Sequence, residues 1–448
     1  MEKRENFSSR FAILVAMAGS AVGLGNLWRF PYLVGEYGGA AFILVYIACM
    51  VFLSLPIFLA EFIIGRRTHS NAYSAFRDLA PGTKWKWAGA LTVSIPLIIV
   101  SYYCVVGGWG VQYFLKSLTF SFTSAEGKAA LDTMFSSYIT STWTPLIGHF
   151  VFLLATAIIV VRGVKGGIEK FSKVMMPVLF LVVLLIAVRS MTLEGASAGI
   201  NYLFNPDFSK INVGVITAAM GQAFYSLSLG CGTIMTYASY VSKKESILTS
   251  AGGTAVSDFL FAMIAGCAIM PAVFAAGLNP GTGPGLVFET LPYIFSQMPL
   301  GGLIAILFFL ALLIAAVTSS ISMYQVLVAY MEEVFGLSIK KATIILFFII
   351  WILGIFCSLS FGPLADFKIL NLTIFDLFDK LSANFLMPLG GLLAAIFVGW
   401  RLKKTDVYAE LTNNGEKPWA VKLFGVCYFL IRYIAPITIV AIFISNLV

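Results

Sequence analysis

Eleven apolar runs, each close to the roughly 20 residues that a membrane crossing needs, leave this chain few ways to fold. Lipid offers backbone N–H and C=O groups no partners, so such runs must be helices that satisfy their own hydrogen bonds. They fall at about residues 11–37, 40–65, 87–115, 145–162, 171–191, 212–241, 248–277, 300–331, 342–361, 373–400 and 423–447. Charged residues make up 11% of the chain, against about 25% in a soluble domain. The expectation is an all-α membrane protein of about 11 transmembrane helices. The first run is too long and too glycine-rich for a cleavable signal peptide, and no small-residue cleavage site follows it.

The formal charge of +8 does not point to nucleic acid. Its basic residues lie in short connections, and they cluster on alternate sides of the runs. One side holds Arg66, Arg67, Lys84, Lys86, Arg162, Lys165, Lys243, Lys244, Lys340, Lys341, Arg401, Lys403 and Lys404, while the other holds few. Positively charged loops mark the cytoplasmic face. The expected location is the cell (inner or plasma) membrane, with the N-terminus cytoplasmic and the C-terminus extracellular. Six cysteines in apolar runs imply no disulfide framework. Two histidines and no C-x-x-C give no basis for zinc or haem.

The first run is interrupted by Gly19-Ser20-Ala21-Val22-Gly23-Leu24-Gly25-Asn26. Glycines cost a helix about 1 kcal/mol each against alanine. Open backbone is tolerated at membrane depth only where protein buries it or it lines a cavity. Run six carries a second break, Ser226-Leu227-Ser228-Leu229-Gly230-Cys231-Gly232. Breaks in runs one and six suit a five-plus-five inverted repeat with discontinuous helices 1 and 6, whose site lies at the midplane. The expected divisions are a cytoplasmic segment 1–10, a first repeat 11–200, a second repeat 212–400, and a cytoplasmic loop with the eleventh helix at 401–448. The connection 116–144 reads as an exterior loop, and 278–299 as a re-entrant or capping hairpin.

Each break exposes carbonyls, which coordinate a small cation, and N–H groups, which hold a carboxylate. Asn26 and Ser226 add neutral oxygens. The Gly19-xxx-Gly23 spacing also matches close helix packing. Thr318-Ser319-Ser320 in run eight could supply hydroxyl ligands or bond back to its own helix. Asp258 lies mid-span with no basic residue near it in sequence, so it is either a cation ligand or a neutral buried acid. Glu61 is expected to snorkel or to pair with Arg66. Tyr102 and Tyr103 are core aromatics or carboxylate partners.

Together, residues 19–31, Glu36-Tyr37-Gly38-Gly39, Gly221-Gln222-Ala223-Phe224-Tyr225-Ser226-Leu227-Ser228-Leu229-Gly230, Thr236-Tyr237-Ala238-Ser239-Tyr240 and Thr318-Ser319-Ser320 resemble the neurotransmitter:sodium symporter family, specifically its eleven-span bacterial amino-acid transporters. The resemblance implies sodium-coupled uptake of a neutral amino acid by alternating access, with two sodium ions. The first ion would be held by Ala21, Asn26, Ser226 and Asp258, and the second by Gly19, Val22, Ala315, Thr318 and Ser319. The substrate would meet Ser20, Ala21, Leu24, Gly25, Tyr103, Tyr225, Ser226, Ser228, Cys231, Ser319 and Met323. Asp258 stands where the best-known bacterial pattern has an asparagine. A fixed carboxylate there would replace the anion of chloride-dependent relatives, so chloride is not expected. Cys231, where some relatives carry a bulky aromatic, favours with Met323 a hydrophobic substrate, aromatic ones included. Arg29 with Asp379 would form the outer gate, and Arg4 with Glu333, helped by Tyr240, the inner one. No nucleophile–base pair supports an enzyme. A non-transporting amino-acid sensor or scaffold is the alternative.

Overall fold

The computed structural model describes residues 6–125, 127–280 and 283–445. Among them, nine helices are long and apolar enough to cross a membrane. These are segments two (Ala40–Thr68), three (Lys86–Leu118), four (Trp143–Val160), five (Val164–Met191), seven (Ile247–Ala275), eight (Gly301–Phe335), nine (Ile339–Leu359), ten (Ile374–Arg401) and eleven (Pro418–Ala441). Segment one is a pair, Arg10–Ala21 and Gly25–Glu36, bent by 50° at its break. Segment six comprises Val213–Ser226 and the short Thr233–Ala238, separated by six non-helical residues. Neither half of segment six is long enough to cross alone; its crossing is shared between them.

Contacts between segments repeat when segments one to five are exchanged with six to ten. Three packs on eight and four on nine. Four packs on eight as nine packs on three, and five packs on seven as ten packs on two. One meets seven as six meets two. This pairing is that of an inverted repeat, and it brings both breaks to the middle of the molecule.

The connection 116–144 holds a 13-residue helix, Lys128–Thr140, where the sequence suggests only a loop. Its Phe135 stacks on Phe288, from the connection between segments seven and eight. Phe288 also packs edge-on against Trp109 and Tyr113 of segment three. Both connections therefore roof the same end of the molecule.

Candidate functional site

The break in segment one leaves polar backbone groups that other segments satisfy. Ser20 O accepts from Ser228 Oγ at 3.0 Å and from Ser319 Oγ at 3.2 Å. Val22 O accepts from Thr318 Oγ1 at 3.4 Å, and Gly25 O from Gln222 Nε2 at 2.9 Å. The N–H of Gly23 donates to Asn26 Oδ1 at 3.2 Å, and that of Leu24 to Tyr103 Oη at 3.4 Å. Buried backbone groups must find partners. Here most of those partners are hydroxyls and side-chain amides, which can turn away when something better arrives.

Asp258 lies at the centre of one group of such residues and is fully buried. Its carboxylate accepts from Asn26 Nδ2 at 2.8 Å, from Ser226 Oγ at 2.8 Å, and from Tyr46 Oη at 3.1 Å. Tyr46 and Gln222 had no local signal in the sequence, because each acts on a residue some 200 positions away. A second group forms around Thr318, whose hydroxyl also reaches Ala315 O at 3.0 Å. A Cβ built on Gly19 would lie 3.5 Å from Thr318 Cβ, so Gly19 adjoins the same group. Ser320 faces elsewhere and bonds Thr156 in segment four at 2.8 Å.

Between the two groups lies a small cavity. Ser20, Ala21, Leu24, Gly25, Tyr103, Tyr225, Ser228, Cys231, Ser319 and Met323 all line it. Gly23, Ile99 and Met387 line it too. Ser226 does not line the cavity and instead faces Asp258. Above the cavity is a vestibule of about 390 Å³, where Arg29, Asp376 and Asp379 meet Tyr102, Tyr103 and Tyr225. The Arg29 guanidinium lies over the Tyr225 ring at 4.8 Å, and no salt bridge joins it to Asp379 among the described residues. Tyr102 turns from the cavity to Ser382, at 3.3 Å.

Glu61 corrects an expectation. It neither snorkels nor pairs with Arg66, but is buried and accepts the Gly230 N–H at 2.5 Å. Arg66 instead binds Glu410, at 2.8 Å. At the opposite end from the vestibule, Phe7 packs edge-on against Tyr237 and Tyr240. Tyr240 Oη accepts from Gln325 at 3.1 Å, and Glu333 accepts from Asn71 Nδ2 at 2.6 Å. Arg4 lies outside the described residues.

The profile of the sodium:neurotransmitter symporter family matches residues 4–135 and 135–448, nearly the whole chain. The chain belongs to that family. A sodium-dependent transporter of Bacillus subtilis (strain 168) is 37% identical over 99% of this chain and 98% of its own. One from Haemophilus influenzae is 35% identical over 100% and 99%. The crystal structure of MhsT in complex with L-phenylalanine is similar with a TM-score of 0.91 and 44% identity, covering 99% of this chain and 100% of MhsT. This symporter is therefore a sodium-dependent membrane transporter and not an enzyme. Its two breaks interrupt corresponding segments of the two halves, and transporters built from inverted repeats bind their cargo at such paired breaks.

Proposed function

We propose that this symporter takes up a neutral, hydrophobic L-amino acid, aromatic ones included, with two sodium ions and without chloride. The observation that carries this reading is the convergence of Asp258, Asn26 and Ser226 beside a largely apolar cavity. A buried carboxylate with only neutral donors around it is stabilised by a cation. With sodium between them, the Asn26 amide turns to present its oxygen, and the Ala21 carbonyl, Ser226 and Asp258 complete the shell. The substrate's own carboxylate supplies a further ligand, so the ion binds tightly only when substrate is present.

The second sodium takes the Gly19, Val22 and Ala315 carbonyls with the Thr318 and Ser319 hydroxyls. The Thr318 hydroxyl lies within hydrogen-bond reach of the Val22 and Ala315 carbonyls, and the ion replaces its proton as the positive centre. The substrate carboxylate meets the Leu24 and Gly25 N–H groups and Tyr103 Oη. Its side chain lies among Ile99, Tyr225, Cys231, Met323 and Met387, which form an apolar lining without charge. The L-phenylalanine held by MhsT is of this class.

Sodium binding orders the broken segments and completes the substrate site. Segments one, two, six and seven then rock against the rest, and Arg29 with Asp379 closes the vestibule behind the substrate. Arg4, Glu333 and Tyr240 close the other end. With the N-terminus cytoplasmic, as the basic loops indicate, the vestibule faces outward and the C-terminus is extracellular. Each sodium ion gains about 2.3 kcal/mol per 100 mV of membrane potential. A displacement panel of radiolabelled phenylalanine against all neutral amino acids, with and without sodium, tests the reading. Displacement by phenylalanine, leucine or methionine in sodium alone supports it. No sodium-dependent binding of phenylalanine, with uptake only of glycine, alanine or charged amino acids, contradicts it.

A further inference from the structure

Segments ten and eleven meet at a place that neither the ions nor the substrate use. Segment ten ends in Phe397–Arg401, and Lys403 and Lys404 follow; all three of these cations are exposed. Arg432 of segment eleven lies level with this end. A Cβ on Gly399 would come within 2.9 Å of Arg432 Cα, and Trp400 Nε1 donates to Arg432 O at 3.0 Å. The Arg432 guanidinium carbon is 4.4 Å from the Trp400 ring centre and 5.4 Å from that of Tyr433. Two rings, nearly perpendicular to each other, thus lie against the guanidinium. Nη1 reaches only the Tyr428 hydroxyl, at 3.4 Å, and the buried Nε has no partner. The two acids of the following helix, Lys404–Thr412, are engaged elsewhere, Asp406 by Arg67 at 3.0 Å and Glu410 by Arg66 at 2.8 Å. Beside Arg432 runs an apolar groove of about 370 Å³, lined by Ile396, Trp400, Tyr433, Pro436 and Ile437. Trp400 is 57% and Ile437 65% exposed, so the groove opens sideways to lipid.

We propose that this groove binds an anionic phospholipid. The phosphate takes the edge of the Arg432 guanidinium, and an acyl chain lies over Ile396, Pro436 and Ile437. A guanidinium fork fits phosphate oxygens in two-point fashion, and the contact with the Trp400 ring holds it beside the groove. The buried Nε of Arg432 lacks a partner, and a lipid phosphate supplies one. Arg401, Lys403 and Lys404 surround the same headgroup position with positive charge, which selects an acidic lipid over a zwitterionic one. The bound lipid bridges segments ten and eleven, so it stabilises the folded chain.

The test uses the purified full chain in detergent with added phosphatidylglycerol, phosphatidylcholine or soluble glycerol phosphate. Native mass spectrometry and thermal unfolding are read for the wild type, Arg432→Gln and Ile437→Trp. Phosphatidylglycerol is expected to be retained over phosphatidylcholine and to raise Tm, with glycerol phosphate giving no effect. Arg432→Gln should lower the apparent affinity for phosphatidylglycerol about five- to tenfold and leave that for phosphatidylcholine unchanged. Ile437→Trp fills the groove and should lower retention of phosphatidylglycerol as well. If Arg432→Gln does not fold, Ile437→Trp decides alone. Equal retention of both lipids, stabilisation by glycerol phosphate, or variants that hold phosphatidylglycerol like the wild type would overturn the proposal. So would a lipid-independent dimer that Ile437→Trp dissociates, since the groove would then belong to a second copy.

Discussion

The two broken helices solve the same problem by opposite means. Segment one satisfies its opened backbone with side chains from elsewhere: Ser228, Ser319, Thr318 and Gln222 bond its carbonyls. Segment six relies on its own backbone shape. Ser228, Gly230 and Gly232 all have positive φ, and a Cβ on Gly230 would run into the Met387 carbonyl of segment ten. The Gly230 N–H is held by a buried acid, Glu61. Hydroxyls can exchange a carbonyl for an ion at small cost, whereas a left-handed glycine wedged against backbone cannot move. On the proposed reading, segment one is the part that adapts most to sodium, and segment six the part that fixes the pocket's shape.

Variants in the two breaks should fail differently. Gly230→Ala has the largest expected effect: a strained φ and a backbone clash cost about 4 kcal/mol. Its Tm should fall whether or not sodium is present, and a variant as stable as the wild type would break the comparison. Gly23→Asp should leave the fold intact, yet weaken amino-acid binding by at least about 100-fold, because its carboxylate occupies the substrate's own place. A Cβ at Gly23 already meets the Ser319 hydroxyl. Scintillation proximity binding checks it, and retained affinity would contradict the assignment. Thr318→Val removes one hydroxyl ligand and should raise the sodium concentration for half-maximal binding about tenfold, with Tm in sodium-free buffer little changed. The smallest effect is expected at Cys231→Phe, which should shift preference toward smaller amino acids by about tenfold or less in competition assays.

Both breaks could be located from sequence, because glycine and asparagine stand out in runs that lipid otherwise restricts to helix formers. What could not be read was which distant residues complete them. Tyr46 and Gln222 look like ordinary polar residues in their own helices, and Ile99 and Met387 are apolar residues among many. The Glu61–Arg66 pairing failed for a geometric reason. Five residues along a helix rotate a side chain about 140° from its starting face, so Arg66 points to Glu410 and Glu61 points to segment six. The gap in segment six, residues 227–232, was legible, since it falls within the stretch from Ser226 to Gly232 that the sequence marks as its break. The Lys128–Thr140 helix was hidden because it is short, and its apolar face is covered by aromatics far away in sequence.

The account rests on Asp258 serving as the fixed negative charge beside a sodium ion. Sodium-driven phenylalanine uptake into proteoliposomes, with chloride replaced by gluconate, tests this in the wild type and in Asp258→Asn. Wild-type uptake should be unchanged in gluconate, while Asp258→Asn should lose uptake in gluconate and recover part of it in chloride. Wild-type uptake abolished by gluconate would contradict the account.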